Sequence, residues 1–288
     1  MTKPFKNIAV AIAFSPQMEA NIYESVRLTH MLGEKLFLIH VEEKGTTKGS
    51  QANEPAAQKM KEVLTEAEPD EEKYKIIWEK GEPVEAILRV CKRQDVDLLL
   101  AGAIPKEGLF RYYMGSVARK LVRKSQCSIL LITNASRMRQ RCSQIVVNGI
   151  DHPKTEKTIA TAMQVGEHLG ADRITVVQEL QPDASLNKAD DDKSLRNLDE
   201  RRKLLKAKDD VRIEQIIEQN RGFTSLPVNH RLLIGRRGYT IGHYTQQENA
   251  GLLVVNSPDS KLKFMDRLFA HDLEYILSDL PSPILIVR

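Results

Sequence analysis

Short apolar runs alternate with segments of helical periodicity along the chain. The first run begins at Asn7 and a second covers 36–41, and the stretch 19–28 between them carries apolar residues at helical spacing. Continuous runs of Val, Ile and Leu are typical of parallel strands buried on both faces of a sheet. Their alternation with helices predicts an α/β fold with a parallel sheet.

Three of the predicted helices have recognisable ends or faces. In the first, 19–28, Ile22 and Val26 face inward together with Thr29, and Gly33 supplies the stop. Pro83 opens the second, because proline suits the first turn of a helix. The third covers 117–124 and is amphipathic. Its predicted core face consists of Val117, Ala118, Leu121 and Val122.

The second half of the chain repeats the first. The initial strand and the Leu-Gly turn at Gly33 have counterparts at 145–150 and at Gly170. Farther along, each half ends in two apolar runs. Each run of the second half lies 154 residues after its counterpart in the first half. A repeat of this length indicates a tandem duplication. We predict domain 1 at 1–137 and domain 2 at 142–288, with a polar, basic linker between them.

Two segments interrupt the repeat. The segment 42–70 carries glycines and prolines around a helix-like stretch at 56–66. The segment 182–210 is densely charged and has only a thin apolar stripe, formed by Leu195, Leu198 and Leu205. We interpret the second segment as a solvated surface helix or a mobile loop.

Composition excludes several classes of protein. The chain has 288 residues, which suits two domains, and its 41% hydrophobic and 28% charged content is typical of a globular protein. A net charge of +4 is too small to indicate a nucleic-acid partner. No apolar run approaches the roughly 20 residues that span a bilayer, and the run 8–14 is interpreted as a strand rather than a signal peptide. We therefore expect a cytoplasmic protein with no membrane span.

The cysteines and histidines point to neither metal nor covalent chemistry. The chain has three cysteines with no CxxC spacing, which favours reduced thiols over disulfides or a thiolate zinc site. Its seven histidines are scattered, without an HExxH motif, so no metal site is expected. His40 is interpreted as a packed or edge residue of the second strand rather than a catalyst. No nucleophile elbow or Cys–His arrangement indicates a hydrolase.

The stretch 102–116 is the most informative part of the chain. It follows a buried strand, leads into the helix 117–124, and carries Gly102, Gly115 and Ser116. Glycine lets the backbone approach a phosphate closely, and free N–H groups at a helix N-terminus attract anions. Ligands of parallel sheets bind beyond the carboxyl ends of the strands. The candidate site therefore comprises 11–15, Val41 and the loop after Gly102.

This spacing resembles the universal stress protein family. The family pattern is glycine, two residues, glycine, nine residues, glycine, then serine or threonine, and Gly102, Pro105 and Gly115-Ser116 fit that spacing. The resemblance covers both halves. It implies two tandem copies of a five-stranded, parallel-sheet, Rossmann-like domain of the adenine nucleotide alpha hydrolase-like type. It also implies that the closing strands, at 129–133 and 284–287, pair within the chain as an intramolecular pseudo-dimer.

The resemblance further implies an adenine nucleotide, ATP or AMP, as the candidate ligand of domain 1, with Mg²⁺ only as a companion of ATP. Two positions depart from the family. Ala13 stands where the family has an aspartate, and Pro105 replaces the second glycine, which removes one backbone N–H. The residues at the family's nucleotide-contacting positions are Ala13, Ser15, Val41, Gly102, Pro105, Gly115, Ser116 and Val117.

Domain 2 departs further from the family pattern. Asp151 is interpreted as the aspartate of the first strand, but Asn256, Asp259 and 269–270 replace the loop glycines and the serine. From 103 to 124 there are six basic residues and one acid, whereas 257–280 has three basic residues and five acids. A polyphosphate is attracted by the first charge balance and repelled by the second. Nucleotide binding is therefore expected only in domain 1.

Two functions remain open. The first is a cytosolic stress-response regulator that binds ATP or AMP weakly in domain 1. The second is an interaction or adaptor protein without a nucleotide, for example a regulator of a transporter, with a protein partner that the residues do not identify. Ala13, Pro105 and the altered second loop favour the second function. We expect no enzyme, because no residue is placed to activate water, although slow ATP hydrolysis stays open.

Overall fold

A computed structural model gives the structure of most of the chain. The residues it describes are 2–42, 54–105, 112–133, 135–138, 141–181, 210–258 and 273–288. The interpretation of 182–210 lies outside the described residues except for its last position. Helix α2 contains the helix-like stretch 56–66. Among the described residues, none of the helices combines the length and apolar character needed to cross a bilayer.

The first half of the chain, up to Ile132, carries seven strands and four helices among its described residues. In chain order they are β1 (Asn7–Ala11), α1 (Met18–Leu32), β2 (Lys35–Glu42), α2 (Glu54–Ala67), β3 (Tyr74–Lys80), α3 (Pro83–Arg93), β4 (Leu98–Gly102), β5 (Ile104–Pro105), β6 (Tyr112–Tyr113), α4 (Ser116–Lys124) and β7 (Ser128–Ile132).

The second half, from Gln144 onward, repeats this order without a hairpin among its described residues. Its elements are β8 (Gln144–Asn148), α5 (Thr155–Leu169), β9 (Arg173–Leu180), α6 (210–219), β10 (Val228–Ile234), α7 (Tyr239–Gln247), β11 (Leu252–Asn256), α8 (273–278) and β12 (Ile284–Val287).

Ten of these strands form one sheet, in the order β10-β9-β8-β11-β12-β7-β4-β1-β2-β3. Neighbouring strands within each half run parallel. Each half therefore contributes five parallel strands with the same internal order. The predicted fold, two tandem copies of a five-stranded parallel-sheet domain, is confirmed.

The two halves join through their last strands. Strands β7 and β12 pair antiparallel, with Leu130 opposite Leu285. These are the strands whose pairing the family resemblance implied. Because the junction is antiparallel while each half is parallel, the carboxyl ends of the strands face opposite edges of the sheet in the two halves.

Apolar side chains on both faces of the sheet form the core. One buried cluster includes Leu38 and Val254 and packs under α1, α2, α5 and α6. The other includes Leu99 and Leu253 and packs under α3, α4, α7 and α8. Since alternate residues of a strand point to opposite faces, continuous apolar runs supply both clusters. Each cluster contains residues of both halves, so the core continues across the junction.

The observed helices agree with their predicted faces except at one residue. Ile22, Val26 and Thr29 are buried on α1 as predicted. On α4 the buried stripe is Ala118, Leu121 and Val122, whereas Val117 is 37% exposed. The prediction that Val117 faces the core is wrong. The buried residues lie at the i, i+3 and i+4 spacing of one helical face, and Val117 falls beside that face.

The Leu-Gly turns of the two halves use glycine differently. Gly170 ends α5 in the left-handed conformation, with φ of 67°, which favours glycine. Gly33 ends α1 in an extended conformation, where any residue is allowed. A Cβ on Gly33 would however lie 2.6 Å from the Ile8 side chain, so glycine there permits close packing of the helix end on β1.

Candidate functional site

Most of the candidate residues gather at one edge of the first half. Ala13 and Ser15 follow β1, Val41 lies near the end of β2, and Gly102 ends β4. These strands are neighbours in the order β4-β1-β2 and run parallel, so their carboxyl ends share an edge. Helix α4 leads into the parallel strand β7, so its first residues also lie at this edge.

Among the described residues, no side chain caps the start of α4. Gly115 precedes the helix in an extended conformation and provides no side-chain cap, and the first turn contains no acidic residue. Ser116 and Val117 are exposed, and Gly115 is half-buried. The first N–H groups of a helix have no partner within the helix, and the helix dipole adds positive potential there. An anion can therefore be held at this helix end.

Pro105 belongs to a small hairpin. It pairs with Tyr112, and Ile104 pairs with Tyr113, which makes β5 and β6 a two-stranded antiparallel ladder. The residues 106–111 that connect them lie outside the described residues. The position of the family's second glycine is thus a strand residue of a hairpin that stands between β4 and α4.

Asn21 is a site residue that sequence reasoning missed. A Cβ added to Gly102 would lie 3.6 Å from both the amide nitrogen and the amide oxygen of the Asn21 side chain, which α1 supplies. The exposed Gly102 backbone therefore has a half-buried amide beside it. No sequence pattern joins residues 21 and 102, because only the packing of α1 over the sheet brings them together.

Three aromatic side chains support the loop after β1. The ring of Phe14 stacks on His40 with centroids 4.1 Å apart, and Trp78 packs edge-on against His40 at 5.2 Å. Nδ1 of His40 lies 2.9 Å from the carbonyl oxygen of Ile12. His40 is 7% exposed, which confirms that it is a packed residue. The cluster fixes the backbone that carries Ala13 and Ser15.

The positive charge of α4 is largely compensated. Arg119 and Arg123 contact Glu274 of the second half at 2.9 and 2.7 Å. Lys120 and Lys124 contact two glutamates at the start of α3, Glu82 at 3.9 Å and Glu85 at 2.7 Å. The other two basic residues of the sequence count, Lys106 and Arg111, lie outside the described residues. The described cations therefore attract a phosphate less strongly than the number of basic residues in 103–124 suggests.

Strand register corrects the alignment of the two halves at their first strands. Ile8 pairs with the first residue of β4, and Ile145 pairs with the first residue of β11. Counting along each strand then places Ile150 at the position of Ala13, and Asp151 at that of Phe14. The interpretation of Asp151 as the aspartate of the first strand is wrong. Its side chain is 82% exposed and lies 3.8 Å from Arg212 Nε.

Side chains close the corresponding edge of the second half. Asn256, the counterpart of Gly102, is fully buried. It accepts a hydrogen bond from Thr158, the counterpart of Asn21, and donates one to Thr155. Lys154 at the start of α5 donates to the carbonyl and hydroxyl oxygens of Ser257 at 3.0 and 3.1 Å. The space that Gly102 leaves open in the first half is thus filled. Asp259 and 269–270 lie outside the described residues.

The residues described by the structure include no cluster of three or more metal-ligating side chains. The three cysteines are free thiols. Among the described residues at the candidate edge, the polar groups that could contact a ligand are backbone N–H groups, the Ser15 and Ser116 hydroxyls and the Asn21 amide. These are suited to holding a polar, anionic ligand rather than to ligating a metal ion directly.

Comparisons with known proteins agree with the repeat and with the fold. The sequence profile of the Universal stress protein family matches residues 4–133. A universal stress protein of Methanothermobacter thermautotrophicus is 29% identical over 73 residues, which is 25% of this chain. The chain spans about half, 49%, of the length of that curated relative.

Solved structures show the same architecture over nearly the whole chain. A universal stress protein from Archaeoglobus fulgidus superposes with a TM-score of 0.68 at 13% identity, covering 98% of each chain. A protein of unknown function from Pseudomonas aeruginosa superposes with a TM-score of 0.65 at 14% identity, covering 98% of this chain and 92% of that one. At such identities these likenesses establish the fold. The Universal stress protein profile thus covers the first half of the chain, residues 4–133, and the second half repeats the fold of the first.

Proposed function

We propose that the protein is a non-enzymatic, cytoplasmic stress-response regulator that binds an adenine nucleotide, ATP or AMP, weakly in its first half. One observation carries the proposal. The uncapped start of α4 and the exposed Gly102 lie at one open edge of the first half, while Asn256 and Lys154 close the same edge of the second. The proposed domains are 1–137 and 142–288, held as a pseudo-dimer by the pairing of β7 with β12.

Three features argue for weak binding. Ala13 offers no carboxylate to the base or the ribose, and Pro105 offers no N–H to a phosphate. The cations of α4 are paired with glutamates, so a phosphate must compete with those carboxylates. The remaining attraction comes from helix N–H groups and from hydroxyls. Mg²⁺ would enter only with ATP, held by the phosphates of the nucleotide.

Ser116→Asp tests this site. We expect titration calorimetry to show ATP binding to the protein as it stands, and binding at least about tenfold weaker to the variant. A carboxylate at the first residue of α4 repels phosphate, and tenfold corresponds to about 1.4 kcal/mol. An acidic residue in the first turn favours the helix, so the variant should keep its fold.

Two comparisons make the result of the Ser116 titration unambiguous. Ser116→Ala removes the hydroxyl without adding charge and should weaken binding less than Ser116→Asp. Lys154→Ala opens the counterpart edge in the second half and should leave the affinity of the first half unchanged. The absence of heat at millimolar ATP and AMP with the unchanged protein would refute the proposal.

A protein-interaction role without nucleotide is the second candidate, and the surroundings of Trp78 favour it. Trp78 is 41% exposed on β3, an outer strand of the sheet, and is backed by His40 and Phe14. Aromatic side chains held in this way are frequent anchors of protein contacts. If this role is correct, Trp78→Ala abolishes capture of a reproducible partner while Ser116→Asp does not. Equal capture by both variants and the unchanged protein would count against it.

A further inference from the structure

We propose that Cys127 and Cys91 form a peroxide-sensitive thiol pair, in which a hydroperoxide oxidises Cys127 and Cys91 then closes a reversible intramolecular disulfide. The inference is independent of nucleotide binding. It rests on the placement of both cysteines in one buried cluster, on the polar groups around Cys127 and on a surface pocket that reaches this residue.

The two cysteines come from different elements of the first half and meet in its core. Cys91 lies in the last turn of α3, and Cys127 immediately precedes β7. Val96 N–H donates to the Cys91 carbonyl oxygen at 2.9 Å and Ser128 N–H to the Asp97 carbonyl oxygen at 3.0 Å, so both cysteines lie beside the start of β4. Cys91 is 6% and Cys127 is 9% exposed, and both belong to the same apolar cluster. A disulfide requires the two sulfurs to approach to about 2.05 Å.

Ser125 gives the two thiols different surroundings. Its hydroxyl lies 3.1 Å from the Cys127 sulfur, accepts a hydrogen bond from the Cys127 backbone N–H and lies 3.0 Å from the Cys127 carbonyl oxygen. Interaction with the Cys91 thiol, together with the Ser125 hydrogen bond, holds the pKa of the Cys127 thiol below its ordinary value. Interaction with Cys127, and burial, raise the pKa of Cys91. Because Ser125 contacts Cys127 and the surface pocket is lined by Cys127 and not by Cys91, we assign Cys127 as the nucleophile and Cys91 as the resolving thiol.

A pocket gives small molecules a route to Cys127. It has a volume of about 440 Å³ and lies between the two halves. Cys127 lines it with Asp97 and Ser128 of the first half, and Lys157 and Arg288 of the second half complete the wall. A hydroperoxide is small and polar, so it fits this space, and the two cations of the wall offset the charge of Asp97.

The chemistry balances with hydrogen peroxide as the only added reactant. The Cys127 thiolate attacks one peroxide oxygen, so an S–O bond forms, the O–O bond breaks, and the leaving hydroxide takes a proton to become water. Cys127 is now a sulfenic acid. The Cys91 sulfur attacks it, so the S–S bond forms, the S–O bond breaks, and the departing oxygen with the Cys91 proton leaves as the second water. A small thiol reductant restores both cysteines by exchange.

Peptide mapping of the full chain tests the proposal. The protein is treated with hydrogen peroxide, denatured, alkylated and digested with trypsin. We expect a product that links the peptide 90–92 to the peptide 125–137, lighter by two hydrogen atoms than their sum and lost after reduction. Cys142 is the internal reference, since burial raises the pKa of its thiol to about 12. Cys127 should react at least about tenfold faster than Cys142.

Single substitutions separate the two roles. Cys91→Ser should leave a sulfenic acid on Cys127 that dimedone traps, and Cys127→Ser should leave Cys91 reduced under the same exposure. Cys142→Ser should form the linked peptide as the unchanged protein does. If a variant fails to fold, the unchanged protein still decides the question within one molecule. The proposal is overturned if Cys91 and Cys127 both remain alkylatable after an exposure that oxidises Cys142.

Discussion

Truncating Leu285 to alanine should lower the free energy of unfolding by about 2–5 kcal/mol. Leu285 is 1% exposed in β12 and lies opposite Leu130 of β7 at the junction of the halves. Both leucines also line a cavity of about 680 Å³ between the halves, so the lost methyl groups enlarge a space that is already present. Urea unfolding followed by circular dichroism and by the fluorescence of Trp78, the single tryptophan, measures the change.

A double-mutant cycle shows whether the junction couples the halves. Leu130→Ala combined with Leu285→Ala should cost less than the sum of the single changes, because the two side chains share one contact. Leu38 is equally buried but lies on β2, three strands from β7, so Leu38→Ala should add to Leu285→Ala without coupling.

Trp78 lies in the first half and Leu285 in the second. Unchanged Trp78 unfolding in Leu285→Ala would show that the halves unfold independently.

Glu179→Ala should destabilise the second half by about 2–6 kcal/mol. Glu179 is 8% exposed on β9, and its carboxylate accepts hydrogen bonds from the backbone N–H groups of Gly238 and Ile241 at 3.0 and 2.8 Å. These are donors at the start of α7. Removing the carboxylate leaves both buried N–H groups without this acceptor, at about 1–3 kcal/mol each. Thermal unfolding of the variant checks the loss.

Glu179→Gln is the matched control. Its amide oxygen can accept one of the two N–H bonds, so the variant should lose about half as much stability as Glu179→Ala. A larger loss in Glu179→Gln than in Glu179→Ala would contradict the capping role. If the start of α7 opens locally before the rest of the protein unfolds, probes of the first half should report no loss of stability in either variant.

Local patterns predict the strands and helices well, because burial on both faces of a parallel sheet leaves continuous apolar runs. The runs that became β4, β7, β11 and β12 were recognisable for this reason, and the repeat then indicated the tandem architecture. Residues near element ends were less predictable. The side chain of Val117 is exposed, because the buried face of α4 consists of Ala118, Leu121 and Val122 and Val117 lies beside that face.

Only the strand register shows which residues correspond between the candidate edges of the two halves. The apolar pattern of the two halves aligns Asp151 with Ala13, but the hydrogen-bonded pairing of the strands moves it to the position of Phe14. A shift of one residue is invisible in a run of similar apolar side chains. The Asn21–Gly102 contact and the Glu274 pairing of α4 likewise join residues far apart in sequence, and packing alone brings them together.

The antiparallel junction between β7 and β12 gives the molecule a direction. In a dimer of two identical halves joined in this way, both ends would be equivalent, and any partner could approach from either side. Here the end that carries Gly102 differs from the end that carries Asn256 and Lys154. The two ends of the sheet therefore present chemically different surfaces, so a molecule that binds one end does not find an equivalent site at the other.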